Sequence, residues 1–280
     1  MSLRTWDACA LRGTTMQRRG GENLIGLDVH EQAAHRDCCV CFLKRDGETI
    51  LVDTDTDTDT DTDTDTDTDT DTDFSAQAAR QRHRTFLRCP IDSLQTAGVA
   101  LENIRETVIT HAHCDHAGNT RLLKGSRFYL REREMACATG KDKRHAFCSH
   151  ACDAADVCDL VHADFEGRVD SHDCACVLRW GTPVHWVGGH TRSLQIVRVH
   201  TQRGWIVLAS NAAHDLVNLR RSAPFPIVVE GADKLRGDAP VELRADASDP
   251  TVAGHDPLTM QLYAPVGPAA LEIVSQTAPR

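Results

Sequence analysis

The densest group of chemically reactive side chains lies at residues 111–116, which read His-Ala-His-Cys-Asp-His. The segment directly follows a short apolar run that is typical of a strand. In an extended chain, side chains two residues apart point the same way, so His111 and His113 can bind one metal ion. Asp115 and His116 lie where a helix is predicted to begin, and from there they can reach a second ion. Neutral imidazole and carboxylate groups are ligands of zinc, iron and manganese, with zinc the foremost candidate.

Two further histidines follow predicted strands. His190 lies in the sequence Val-Gly-Gly-His-Thr, where the glycines allow a close approach of the backbone. His255 lies in Ala-Gly-His-Asp-Pro, another turn preceded by glycine. A loop histidine is usually only a loop residue, but both of these lie at strand ends beside the 111–116 cluster. The pattern therefore predicts that they join the same metal site.

Four segments together, HAHCDH, GGHT, SNAAHD and AGHDP, resemble the metallo-β-lactamase superfamily. The resemblance is greatest to its N-acyl-homoserine-lactonase-like branch and extends from about Arg18 to Pro265. It implies an α/β fold of the αββα sandwich type, in which two facing mixed sheets carry helices on their outer sides. It also implies a site for two divalent metal ions at one sheet edge, Zn²⁺ foremost, and the hydrolysis of a lactone or another ester-like bond.

The resemblance assigns the metal ligands by position. The ligands of the first metal would be His111, His113 and His190. The ligands of the second metal would be Asp115, His116 and His255. In the family, an aspartate at the end of the next strand bridges both metals, and that position is Asn211 in this sequence.

The replacement at Asn211 removes one negative charge from between two cations. An amide oxygen is a weak, neutral ligand, so both metals become harder to hold together. This departure favours an alternative in which the protein is a catalytically impaired relative that binds metal without efficient turnover.

The mechanism implied by the resemblance is attack of a metal-bound hydroxide on the acyl carbonyl. Asp115 or His214 would then protonate the leaving alkoxide, since His214 lies where some lactonases have an assisting tyrosine. The predicted substrate is a small-molecule lactone, with N-acyl homoserine lactone the first choice. Hydrolysis of a thioester or another ester by the same fold stays open. A Gly-x-Ser-x-Gly motif is absent, which argues against an α/β-hydrolase mechanism.

The secondary structure needed to position these residues can be outlined from the pattern of apolar residues. Residues 38–52 predict two strands joined by a turn at Arg45-Asp46-Gly47. Further strands are predicted at 107–110, 127–130, 184–187, 194–200 and 205–209. Helices are predicted at 76–88, 90–97, 132–138 and 151–162, with another opening at 117–124.

An unbroken Asp-Thr alternation occupies residues 53–73 and holds eleven aspartates. Repeated like charge and the lack of apolar residues predict a solvated, disordered loop. The predicted organisation is a poorly ordered N-terminus at 1–17, one metallo-hydrolase domain at 18–270 interrupted by this loop, and a tail at 271–280.

Composition narrows the function classes further. Removing the eleven aspartates of the repeat from the 41 acidic residues leaves 30 against 31 basic residues, so the body of the chain is nearly neutral. This predicts neither nucleic-acid binding nor an acidic partner. Twelve cysteines without a CxxC pair, and no long apolar run, favour a cytoplasmic protein with free thiols and no membrane span.

Overall fold

Two β-sheets form the centre of the computed structural model, which describes residues 5–25, 34–56, 83–173, 176–178, 181–221, 223–234, 251–266 and 273–279. The strands of the first sheet are β1 (Asp7–Arg18), β2 (Ala34–Arg45), β3 (Glu48–Val52), β4 (Arg84–Phe86), β5 (Ile104–Val108), β6 (Arg127–Arg131), β7 (Val169–His172), β13 (Tyr263–Pro265) and β14 (Ile273–Pro279). Those of the second sheet are β8 (Cys176–Leu178), β9 (Thr182–Trp186), β10 (Gln195–Thr201), β11 (Gly204–Ser210) and β12 (Thr251–Ala253).

Short helices connect and cover the sheets. They are α1 (Pro90–Thr96), α2 (Cys114–Ala117), α3 (Glu132–Ala138), α4 (Ala146–Ser149), α5 (Ala154–Phe165), α6 (Leu216–Arg220) and α7 (Leu258–Leu262). Single 3₁₀ turns lie at Gly20–Glu22, Leu101–Asn103, Thr120–Leu122 and Lys141–Arg144. Among the described residues, no helix combines the length and apolar character that crossing a bilayer requires.

The order of strands brings separate parts of the chain to one edge. The first sheet is ordered β13-β14-β1-β2-β3-β5-β6-β7, with β4 also paired to β1, and the second is ordered β12-β11-β10-β9-β8. Strands β3 and β5 are parallel, and Val52 pairs with Val108 at their ends. Because parallel neighbours end at the same edge, the residues following β3 and β5 lie side by side.

Alternating side chains in the strands build the layers. In β3, Ile50 and Val52 pack between the two sheets, whereas Leu51 packs against the outer helices. The turn before β3 has positive φ at Asp46 (49°) and Gly47 (82°), the geometry that the predicted Asp-Gly hairpin requires.

Three apolar clusters define the layers of the sandwich. One lies between the sheets, where β1, β2 and β3 face β10 and β11. A second lies under α1 and α5 on the outer face of the first sheet. A third lies under α6 on the outer face of the second sheet. The predicted αββα sandwich is therefore confirmed.

The prediction that residues 1–17 are poorly ordered is wrong for the strand β1. Asp7–Arg18 pairs with β2, β4 and β14, and it buries Ala8 and Ala10 between the sheets. The alternation of apolar and polar residues that predicts a strand is weak in β1, because alanine is only slightly hydrophobic. The predicted tail is also wrong over Ile273–Pro279, which forms β14 and pairs with β1. The folded unit thus extends beyond the predicted limits of 18–270 at both ends.

Two local predictions also need correction. The helix predicted at 76–88 is wrong for its described part, which begins at residue 83. Arg84–Phe86 forms the strand β4 there and pairs with β1. The helix predicted to open at 117–124 is also wrong, because α2 (Cys114–Ala117) ends at Ala117 and a 3₁₀ turn at Thr120–Leu122 follows it.

The first four residues of the Asp-Thr repeat are described by the structure and lie in its interior. Asp53, Thr54, Asp55 and Thr56 are all buried, so the prediction of a solvated loop is wrong for these four residues. The Asn119 side-chain amide donates to the Thr54 and Thr56 carbonyl oxygens at 3.0 Å each. Residues 57–73 of the predicted loop lie outside the described residues.

A pair of deletions separates the buried start of the repeat from the remainder. Deleting residues 57–72 keeps Thr56, and we expect almost unchanged stability because loop length changes closure entropy only slightly. Deleting residues 55–72 places Phe74 at the buried position of Thr56 and removes the hydroxyl that Arg84 contacts at 2.8 Å. We expect the longer deletion to lower the free energy of unfolding by about 1–3 kcal/mol. Thermal unfolding followed by circular dichroism tests this difference, and equal melting temperatures would contradict it.

Candidate metal centre

The predicted site residues come from four connections that meet at one edge of the sandwich. The 111–116 segment follows β5, and Asn211 follows β11. His190 lies between β9 and β10, and His255 follows β12. Five of the six predicted ligands are buried, and so is Asn211. The sixth, Asp115, is half-buried.

The first group of three histidines faces a common point. The potential ligand nitrogens of His111, His113 and His190 all lie within 4.8 Å of one another. The His113 Nδ1 and His190 Nε2 atoms are 3.0 Å apart. His190 Nδ1 lies 2.8 Å from the Ile227 carbonyl oxygen and donates to it, which leaves Nε2 with a lone pair directed at the other two rings.

The second predicted group has the same construction. His116 Nδ1 lies 2.8 Å from Asp53 Oδ2, whereas its buried Nε2 atom has no hydrogen-bond partner among the described residues. That Nε2 atom is 3.9 Å from Asp115 Oδ1. His255 Nδ1 donates to the Asp37 carbonyl oxygen at 3.0 Å, so its Nε2 atom also carries a free lone pair.

Burial keeps most of these imidazoles neutral. Burial, reinforced by neighbouring imidazoles, lowers the pKa of His111, His113 and His255 well below the usual value. Burial also lowers the pKa of His190 to about 4. Neutral imidazole is the form that binds a metal ion.

The second ligand group has more negative charge around it than the first. Burial lowers the pKa of His116, but the Asp53 and Asp115 carboxylates outweigh it and raise that pKa. Burial raises the pKa of Asp115, but Arg84 and the surrounding histidines reverse this and hold the pKa well below its usual range. Asp115 is therefore a carboxylate, and the local charge favours a cation beside His116.

Asn211 lies against the first histidine group. Its Nδ2 atom is 3.0 Å from His190 Nε2 and 3.4 Å from His111 Nε2. Its buried Oδ1 atom has no hydrogen-bond partner among the residues described. The nitrogen and oxygen donors, their convergence and these orphaned polar atoms fit a divalent metal ion such as zinc.

Asp53 was missed as a site residue because it opens the low-complexity repeat. Its carboxylate accepts hydrogen bonds from the Thr110 backbone N–H at 2.7 Å and the Thr110 hydroxyl at 2.8 Å. It also accepts from the Ser210 hydroxyl at 3.1 Å. Together with its contact to His116, Asp53 ties the ends of β3, β5 and β11 to one ligand.

Glu134 is a second residue that the sequence did not reveal. Its carboxylate accepts from the Ala112 backbone N–H at 3.1 Å and from the Thr191 and Ser193 hydroxyls at 2.8 Å each. The side chain is buried and joins the 111–116 segment to the loop that carries His190. No local pattern marks it, because its three partners come from other segments.

Cys38 was not predicted as a site residue either. Its Sγ atom, an Asp115 carboxylate oxygen and a His255 ring nitrogen all lie within 4.8 Å of one another. Cys38 lies on β2, where the sequence pattern predicts a strand but no site residue.

His214 lies beside both histidine groups. Its ring centre is 5.6 Å from that of His190 and 4.9 Å from that of His255, and the ring stacks on Phe225. The Arg36 guanidinium donates to His214 Nδ1. Arginine has no acceptor, so the proton of the neutral His214 ring resides on Nε2, which is buried and lacks a partner among the described residues.

Two adjoining cavities open at this edge. One, of about 220 Å³, is lined by His113, Asp115, His190, Asn211, His214 and His255, among other residues. The other, of about 250 Å³, shares His113 and His190 with the first and is bordered by Phe147, Pro226, Ile227 and Val228. A polar cavity holding the candidate ligands thus borders a more apolar one.

Comparison with known proteins agrees with the fold. The family model of the metallo-beta-lactamase superfamily matches residues 38–134, and no curated protein sequence matches. A mutant of Bacillus thuringiensis AiiA with bound N-decanoyl-L-homoserine is 14% identical, with a TM-score of 0.70, over 92% of this chain and 96% of that chain. A probable metal-dependent hydrolase from Staphylococcus aureus is 10% identical, with a TM-score of 0.74, over 99% and 94%. AidC, a dizinc quorum-quenching lactonase in complex with a product, is 13% identical, with a TM-score of 0.67, over 92% and 90%.

Removing the charge of Asp53 tests its role in orienting His116. In Asp53→Asn, one oxygen and an amide donor replace a carboxylate that accepts four hydrogen bonds. We expect metal affinity at the second group to fall about 10–100-fold, the usual effect of losing a group that orients a metal ligand. Competition with a chromophoric chelator measures this, and the exposed Asp164→Asn on α5 is the matched control. Equal affinities in both variants would contradict the assignment.

Proposed function

We propose that this chain, whose residues 38–134 match the family model of the metallo-β-lactamase superfamily, is a metal-dependent hydrolase that opens a lactone ring. The observation that carries the proposal is the convergence of five buried histidines and Asp115 at one edge of the sandwich. His111, His113 and His190 would hold one metal ion. Asp115, His116 and His255 would hold a second.

Two divalent ions, most simply Zn²⁺, would supply a nucleophile from water and polarise the acyl carbonyl of the substrate. The chain contributes the orientation of both ligand groups through Asp53, Ile227 and Asp37. Buried walls around the ligands exclude bulk water, which strengthens every electrostatic interaction in the site.

His214 is the residue best placed to act on the substrate itself. The contact of Nδ1 with Arg36 places the ring proton on Nε2, and this buried atom has no hydrogen-bond partner among the described residues. We assign it hydrogen-bond donation to the ester oxygen, which stabilises the negative charge that develops there; the proton that this oxygen finally takes comes from water, because the neutral His214 ring carries only its Nε2 proton. Asp115 is less suited to donate a proton, because Arg84 contacts its Oδ2 at 2.9 Å and holds its pKa low.

The cavity beside the site suggests the substrate class. Its apolar border, which includes Phe147 and Ile227, suits an acyl chain, while the polar cavity suits a lactone ring. N-acyl homoserine lactones have both parts and are therefore the first substrates to test. Such activity would make the protein a quorum-quenching enzyme of the kind that AidC is described to be. Thioester or other ester hydrolysis uses the same ligands and is distinguished only by assay.

Asn211 favours a second candidate function, an impaired relative with weakened metal binding. Its amide lies 3.0 Å from His190 Nε2, where the family's charged bridge would stand. The loss of that charge weakens the attraction for a second cation.

The proposal includes a cytoplasmic location. The described cysteines form no disulfide, which is usual in a reducing compartment.

Restoring the bridge tests how much Asn211 weakens the site. We expect Asn211→Asp to tighten binding of the second metal at least tenfold and to raise kcat/KM for lactone opening at least tenfold, about 1.4 kcal/mol of barrier. Metal titration at limiting free zinc, together with a ring-opening assay, provides both values. Unchanged affinity and activity would mean that the amide is not limiting.

Replacing His214 tests its role as a donor. In His214→Ala we expect kcat to fall at least tenfold while bound zinc per chain stays constant, because removing one hydrogen-bond donor to a developing oxyanion costs about 10²–10³-fold. Elemental analysis and steady-state kinetics, with the exposed His162→Ala as the matched control, provide the comparison. A parallel loss of zinc would instead make His214 a structural part of the metal centre.

A further inference from the structure

We propose that Cys38 is a fourth protein ligand of the second metal position, together with Asp115, His116 and His255. The inference rests on the proposed function, because it concerns the metal centre of the same hydrolase. It adds a thiolate from β2 to a ligand set that the sequence pattern confines to imidazoles and one carboxylate.

The distances among the donor atoms support this assignment. The Cys38 Sγ, an Asp115 oxygen and a His255 nitrogen lie within 4.8 Å of one another. Donor atoms around tetrahedral zinc are about 3.5 Å apart, given Zn–S of about 2.3 Å and Zn–N of about 2.0–2.1 Å. Small side-chain movements therefore bring the three atoms onto one ion. His116 Nε2, 3.9 Å from Asp115 Oδ1, supplies the fourth donor.

Backbone contacts hold Cys38 at this place. The adjacent Asp37 donates its N–H to the His255 carbonyl oxygen at 3.1 Å and accepts from His255 Nδ1 at 3.0 Å. β2 and the His255 turn are thus joined by two hydrogen bonds one residue away from the thiol. Cys38 is also paired in register with Thr14 of β1 and is only 1% exposed.

Arg84 pairs with one carboxylate oxygen of Asp115 and leaves the other available to a metal ion. Its guanidinium contacts Asp115 Oδ2 at 2.9 Å, so the other carboxylate oxygen, Oδ1, faces His116. The second position therefore presents one oxygen, one nitrogen and one sulfur within 4.8 Å of one another, and His116 Nε2 lies 3.9 Å from Asp115 Oδ1.

A Cys38 thiolate would replace the negative charge that is lost at Asn211. On metal binding, the S–H bond of Cys38 breaks, its proton passes to solvent and an S–metal bond forms, with no change of oxidation state. The resulting thiolate supplies one negative charge, which is the amount lost when asparagine replaces the bridging aspartate. A sulfur ligand also favours zinc over magnesium or manganese at this position.

Cobalt substitution tests the assignment directly. In wild-type protein loaded with two equivalents of Co²⁺, we expect a sulfur-to-cobalt charge-transfer band in the near ultraviolet. The band should disappear in Cys38→Ser and persist in Cys39→Ser, the neighbouring control on β2. Affinity for the second cobalt should fall at least tenfold in Cys38→Ser only.

The outcomes separate this inference from the proposed function. Two bound cobalt ions without the band, or a band that survives Cys38→Ser, would overturn the Cys38 assignment and leave the two-metal site intact. Failure to bind any cobalt would overturn both. Should Cys38→Ser fail to fold, ¹¹³Cd NMR of the wild type decides the question, because a sulfur ligand gives a markedly downfield resonance and its absence refutes the assignment.

Discussion

The central physical constraint is the burial of lone pairs that face one another. His111, His113 and His190 are buried with their ligand nitrogens within 4.8 Å of one another, and His113 Nδ1 approaches His190 Nε2 to 3.0 Å. Burial keeps these rings uncharged, which is the form in which an imidazole nitrogen offers its lone pair to a metal ion. One cation placed among them would be within reach of all three rings.

The remainder of the fold keeps the lone pairs aimed inward. The core between the two sheets gives a rigid frame, and the outer nitrogen of each anchored ring is held by a group outside the site. Asp53 joins the ends of three strands to His116, and Glu134 joins the loops of the first histidine group. The fold therefore holds both ligand groups in place through contacts that do not use the ligand nitrogens themselves.

Local patterns were enough to predict the residues that lie close together in sequence. The 111–116 spacing, the glycine-preceded histidines and the Asp-Gly hairpin each depend on neighbours within a few positions, and the resemblance they support indicated the sandwich. Residues whose role depends on distant partners were missed. Cys38 meets Asp115 only through the pairing of strands, and Asp53 was hidden in a repeat whose first four residues are buried. β1 was overlooked because its inward-facing residues include Ala8 and Ala10, which give little hydrophobic signal.

Anomalous diffraction at the zinc absorption edge, from crystals grown with zinc, tests the metal centre most directly. We expect a peak between His111, His113 and His190, about 2.0–2.1 Å from one nitrogen of each ring. Diffraction showing no zinc among these three histidines, with anomalous peaks only at surface residues, would contradict it.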